Sequence, residues 1–124
     1  MFEPTPNLPL LRKVLEHVDA HPDEWTQYTW GVQTTRSSCG TAFCIAGHAA
    51  TLAGMEPVWK TSGDYVAMDS VMDGDGNTSY VGDAAQRLLG LTPTEGQELF
   101  DGGNTRADIQ AVAERIAARG GERL

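Results

Sequence analysis

One segment constrains the fold more than any other. Residues 40–54, GTAFCIAGHAATLAG, alternate small side chains with Phe43, Ile45 and Leu52. Ala and Gly on one face let another backbone approach closely, and Gly54 can end a helix. The segment therefore reads as a central buried helix, capped by Gly40 or Thr41. Cys44, Ile45, Ala49 and Leu52 are its expected core positions, in contact with the first and last helices of the chain.

The flanking sequence supplies partners for such a helix. Asn7 can cap a first helix, with Pro9 in its opening turn and Leu11, Val14, Leu15 and Val18 at helical spacing. That helix should end near His21, because Pro22 disfavours helical geometry in the residue before it. Residues 22–25 read as a short second helical turn, and residues 29–35 as a strand or extended loop. After the central segment, residues 58–60 and 65–68 are strand candidates. The Asp73-Gly74-Asp75-Gly76-Asn77 turn can return into a strand at 78–81. Asp83 is expected to cap a helix through Leu89, closed by Gly90. Thr92-Pro93-Thr94-Glu95 is a capping box that opens a short helix to Phe100. Thr105 caps the last helix, where Ile109, Val112, Ala113 and Ile116 keep a 3.6-residue period.

The expected fold is mainly α (α+β): a compact helical domain of four to six helices with a small β-hairpin. The 124 residues suit a single domain, 1–124, with 1–7 as an irregular arm. A chain of this length buries roughly two-thirds of its unfolded surface, enough for one core.

Charge narrows the function classes. Nine Lys and Arg against 17 Asp and Glu give a net charge of −8. That argues against nucleic acid, whose binders need basic surface, and against anionic lipid. The imbalance is local: Asp64, Asp69, Asp73, Asp75 and Asp83 fall within residues 63–85, which hold no Lys or Arg. This acidic stretch reads as a solvated turn region or as a surface for a basic partner. No apolar run reaches the ~18 residues of a membrane span, and no basic-then-apolar leader opens the chain. A cytoplasmic protein, in the host cytoplasm if phage-encoded, is expected. Arg outnumbers Lys seven to two, as in proteins of GC-rich genomes.

Several stretches together resemble a family of small bacterial and actinobacteriophage proteins. They are His21-Pro22-Asp23-Glu24-Trp25-x-Gln27, Cys39-Gly40-Thr41-Ala42-Phe43-Cys44-Ile45-Ala46-Gly47, Ala84-x-x-x-Leu88-Leu89-Gly90-Leu91-Thr92, Leu99-Phe100 and Asn104-Thr105. In the family the pattern runs HPE-x-W, CGT-x-x-CIAGWA, LLGLT and LF-x-x-x-NT. The likeness spans roughly residues 8–118. It implies a shared fold but no reaction, because the family has no established activity. His48 stands where the pattern has Trp, which weakens a general chemical role for this histidine.

Four constellations could carry chemistry. His17 and His21 lie four apart on the first helix, and Cys44 and His48 four apart on the central one, so each pair shares a helix face. Converging, the four would form a tetrahedral zinc site with Cys39 as a substitute, although the spacing matches no standard finger or ribbon. Cys44 near a helix N-terminus could be an activated thiol, paired with Cys39 or His48. An Ala- and Gly-rich setting instead favours an inert buried thiol. Asp73-x-Asp75-x-Asn77 matches the first ligands of a calcium loop, but Thr78 and Ala84 break the rest of the pattern. Trp25, Tyr28, Trp30 and Trp59 read as core residues, or as anchors for a partner where exposed together.

The leading expectation is a non-enzymatic interaction protein of phage or mobile-element origin without cofactor. It would bind a host or bacterial protein through Asp64, Asp69, Asp73 and Asp75. The alternative is a zinc- or thiol-dependent protein centred on Cys39, Cys44 and His48.

Overall fold

Helix α1, Leu8–Ala20, begins where Asn7 supplies both a cap and a tether. Its Oδ1 accepts the Leu10 N–H at 3.2 Å, and its Nδ2 donates to the Leu88 carbonyl at 3.1 Å. The apolar stripe Leu8, Leu11, Val14, Leu15 and Val18 is buried along one face. Pro22 stops the helix, and Pro22–Glu24 forms a single 3-10 turn. The computed structural model describes residues 3–27, 29–33, 41–62 and 65–124. Strands β1 (Gly31–Gln33) and β2 (Thr41–Phe43) precede α2 (Ile45–Leu52). Next come β3 (Glu56–Ser62), β4 (Tyr65–Met72), β5 (Thr78–Tyr80), α3 (Val81–Leu89), α4 (Pro93–Leu99) and α5 (Arg106–Arg119). No helix among the described residues is long and apolar enough to cross a membrane.

The class is α+β rather than mainly α, because a five-stranded antiparallel sheet replaces the single expected hairpin. Its order is β2-β1-β4-β3, with β5 also paired to β4. Four of its strands fall on the expected segments 29–35, 58–60, 65–68 and 78–81, and β2 is new; the three-residue strands gain stability from distant partners, as Val32 does opposite Ala42 and Ala67.

The central helix is shorter than expected for the same reason. Thr41–Phe43 leaves it to pair with β1, and Cys44, not Gly40 or Thr41, becomes its N-cap, without a side-chain capping bond. Cys44, Ile45 and Ala49 are buried, whereas Leu52 at the open end is only partly so. Helix α2 packs most closely on α3 and α1, and α5 most closely on α4, with α2 and α5 sharing one core cluster. Tyr80 rather than Asp83 is the N-cap of α3, and Asp83 sits in its first turn. Gly90 closes α3 with φ +64°, and the Thr92–Glu95 and Thr105–Asp108 capping boxes form reciprocally.

Strand β4 holds the feature that shapes the site. Val58 pairs with Ser70 and Trp59 with Met68, so Asp69 is an extra residue opposite β3. A bulge of this kind shifts the alternation of faces by one. Met68 and Val71, three residues apart, consequently both enter the core, at 2% and 0% exposure.

Candidate functional site

The bulge coincides with a gap on the other edge of β4. Strand β1 ends its pairing with Gly31 opposite Met68, and β5 begins with Tyr80 opposite Ser70. Asp69 falls between them. Trp30, the residue before β1, and Tyr80, the last residue of β5, flank the opening. It continues as a groove of about 630 Å³ between β4, the first turns of α3 and the length of α4. Gly82, Asp83 and Gln86 line the α3 side, and Pro93, Gly96, Gln97 and Phe100 the α4 side.

The walls are kept low by glycine. A Cβ on Gly82 would stand 3.2 Å from Cη2 of Trp30, so the bare backbone lets the indole lie over the start of α3. Trp30 meets Phe100 edge-on, with ring centroids 6.4 Å apart at 76°. Tyr80 is 67% exposed, far more than any other large apolar side chain described. Among the described residues, the groove lining has no Lys or Arg. Asp69 accepts from Lys60 Nζ at 3.2 Å and Ser70 Oγ at 3.1 Å, which hold its carboxyl below the usual range. Asp83 is exposed and makes no ion pair with a described residue. An aromatic slot with a carboxylate that has no ion-pair partner among the described residues can bind a cationic group.

Of the expected aromatic anchors, Trp30 alone lines the groove, and Tyr28 lies outside the described residues. Trp59 packs on Phe43 at 5.9 Å. Trp25 donates through Nε1 to Gln27 Oε1 at 3.1 Å, and Gln27 Nε2 in turn donates to the Leu99 and Asp101 carbonyls, both at 3.2 Å. These bonds satisfy carbonyls at the end of α4.

The three histidines do come together, around Glu24 rather than around Cys44. His17 Nε2 donates to Glu24 Oε1 at 3.3 Å, and His21 Nδ1 lies 3.3 Å from Glu24 Oε2. The His17 ring centroid is 4.7 Å from that of His21 and 5.0 Å from that of His48. His48 is 2% exposed and donates its Nε2–H to the Glu24 carbonyl at 2.8 Å. The carbonyl can only accept, which fixes the neutral tautomer. Burial pushes the imidazole down to about 4, opposed by the Glu24 carbonyl and reinforced by His17 and His21. Among the described residues, no group of three or more His, Cys, Asp or Glu is arranged to hold a metal ion. The cluster instead pins the 3-10 turn between α1 and α2.

Cys44 lines a separate cavity of about 180 Å³ with Gln27, Trp30 and Phe100. Burial pushes its thiol up to about 11, against the lowering by the Gly47 and Ala46 N–H groups of the α2 first turn. The helix N-terminus therefore acts in the anticipated direction but loses to desolvation. Cys39 lies outside the described residues.

The acidic residues divide. Asp64 lies outside the described residues, and Asp69 lines the groove. Asp73 belongs to the β4–β5 turn: its Oδ1 accepts the Asp75 N–H at 2.9 Å and the Asn77 N–H at 3.0 Å, which lowers its pKa. Asp75 is exposed at the tip of the same turn, and neither residue lines the groove. Sequence reasoning missed Tyr80, Gln86 and Phe100 as site residues, and treated Asp83 as a cap. The available signal was the pairing of aromatics with Gly82 and Gly96, residues that leave room beside a helix.

Comparison with known protein families, with curated proteins and with solved structures gives no match to this chain.

Proposed function

We propose that the chain is a small non-enzymatic interaction protein that binds a host or bacterial protein through the groove beside Asp69. The observation that carries this reading is the open, aromatic-flanked groove, lined among the described residues by no Lys or Arg, with Tyr80 67% exposed on its rim. Exposed aromatics around a concave site are the usual anchors of protein interfaces. The net charge of −8 steers basic partners and speeds their encounter. Origin in a phage or other mobile element rests on the family resemblance and on the Arg-rich usage.

The test is affinity capture from a host extract with three baits: wild type, Tyr80→Ser, and a distal control, Asp75→Asn. A specific partner should be retained by wild type and the control and lost with Tyr80→Ser. Recovery of the same partner with all three baits would remove the groove from the account.

A further inference from the structure

Resting on the groove reading, the geometry points to an arginine of an extended partner segment as the groove's occupant, its guanidinium between the Trp30 and Tyr80 rings and the Asp83 carboxylate. Three features of the groove select this chemistry. The carboxylates in the lining are unequal: Asp69 is already engaged by Lys60 and Ser70, whereas Asp83 has no ionic partner among the described residues. Trp30, Tyr80 and Phe100 line the same groove, and a planar guanidinium stacks on aromatic rings better than a hydrated ammonium does. The remaining polar groups, Gln86 and Gln97, add amide acceptors around the same opening. A guanidinium carries five N–H donors and can use several acceptors at once; an ammonium is a point charge.

One effect opposes the proposal. Asp83 sits in the first turn of α3, where the helix N-terminus carries a partial positive charge of roughly half a unit. A full carboxylate at that position exceeds this partial charge, and no described residue of the lining is Lys or Arg. The groove volume of about 630 Å³ exceeds a single side chain, so neighbouring residues of the segment must also enter. Small flanking residues suit the low glycine walls.

The experiment uses the full chain, ¹⁵N-labelled, titrated with acetyl-Ala-Gly-Arg-Gly-Ala-amide. Parallel titrations replace Arg by Lys and by citrulline, the neutral near-isostere. The Arg peptide should move the Trp30 indole N–H and the Gly82 and Gly96 amides together, with the Lys peptide weaker and the citrulline peptide inert. Asp83→Asn should weaken the Arg peptide about fivefold, the scale of one exposed charge pair. Asp75→Asn, equally acidic but outside the groove, should leave it unchanged. Shifts spread over the acidic surface, equal binding of the citrulline peptide, or an unchanged affinity in Asp83→Asn would each overturn the proposal. Loss of peptide binding alone, with partner capture still dependent on Tyr80, would overturn the arginine and keep the groove. Capture that ignores Tyr80 would overturn the groove itself.

Discussion

Acid should destabilise this protein through His48 in a defined window. The side chain is 2% exposed, neutral, and bonded through Nε2–H to the Glu24 carbonyl. Its folded pKa is down to about 4, against an ordinary 6.5. Because the folded value is depressed, the unfolded chain takes up the proton first. Stability is therefore intact above the unfolded pKa and is lost as pH falls from about 6.5 toward about 4, levelling off below that. The two values imply a loss of about 2 kcal/mol at pH 5 and about 3 kcal/mol at full extent. Carboxylate titrations overlap this window, so the measurement is a difference. Urea unfolding of wild type and His48→Gln is compared at pH 7, 6, 5 and 4.5. Gln keeps an N–H donor for the Glu24 carbonyl but cannot titrate. The variant should be less stable at pH 7 and should close that gap, or overtake wild type, by pH 5. Parallel stability–pH curves would refute the desolvation argument.

Two further perturbations probe the packing of α2. Gly47→Ala places a methyl group against the Trp30 carbonyl oxygen and 2.9 Å from Phe43 Cβ. The oxygen is backbone and already accepts the Cys44 N–H, so it has little freedom to move, and a loss of about 3 kcal/mol is expected in denaturant unfolding. Native Cys44, with its thiol at about 11, should hold about 100-fold less thiolate at pH 8 than an ordinary cysteine. Site-resolved mass spectrometry after iodoacetamide treatment should find Cys44 unmodified until denaturant is added. Asp73→Ala removes the acceptor of the Asp75 and Asn77 N–H groups and should speed amide exchange across the β4–β5 turn, while Asp73→Asn, which keeps Oδ1, should change it much less.

What was legible in the sequence was local. Asn7, Thr92 and Thr105 announce their helices because a cap is a contact over three residues, and all three make the anticipated bonds. Strand segments were legible at β1, β3, β4 and β5, but β2 and the assembly of all five into one sheet were not, because β1, β2 and β5 are three residues each and draw their stability from partners tens of residues away. The bulge at Asp69 left a trace that a two-residue period hides: Met68 and Val71 are both apolar at a spacing no regular strand would bury on one face. The His17–His21 spacing and the helical turn at Pro22 were readable, but the gathering of the rings around Glu24 was not, since it depends on how that turn folds back against α1 and α2. The groove was the least legible part. Trp30, Tyr80 and Phe100 come from three segments that meet only because β1 and β5 share one edge of β4.

The residues that carry the family resemblance fall on the scaffold side of this division. Gln27 bonds to carbonyls at the end of α4, Asn104 Nδ2 bonds to the Glu98 carbonyl at 2.7 Å, Thr105 caps α5, and Gly47 admits the Trp30 backbone. Tyr80, Asp83 and Gln86 are not among the residues that carry the resemblance, whereas Phe100 is, and it lines the groove. In this chain, then, the residues of the resemblance mostly support the fold, and the groove is lined mostly by others. This division makes a last prediction. Gln27→Leu removes two donors at a position 7% exposed and should cost about 1–2 kcal/mol, the scale of a buried unsatisfied group. Tyr80→Ser and Asp83→Asn change exposed side chains and should stay within about 0.5 kcal/mol of wild type. Unfolding midpoints of the three variants, measured beside partner capture, give the decisive comparison. The scaffold variant should lose stability and retain capture while folded; the groove variants should do the reverse. If Tyr80→Ser destabilises the chain as much as Gln27→Leu does, Tyr80 is a packing residue and the separation between scaffold and groove fails.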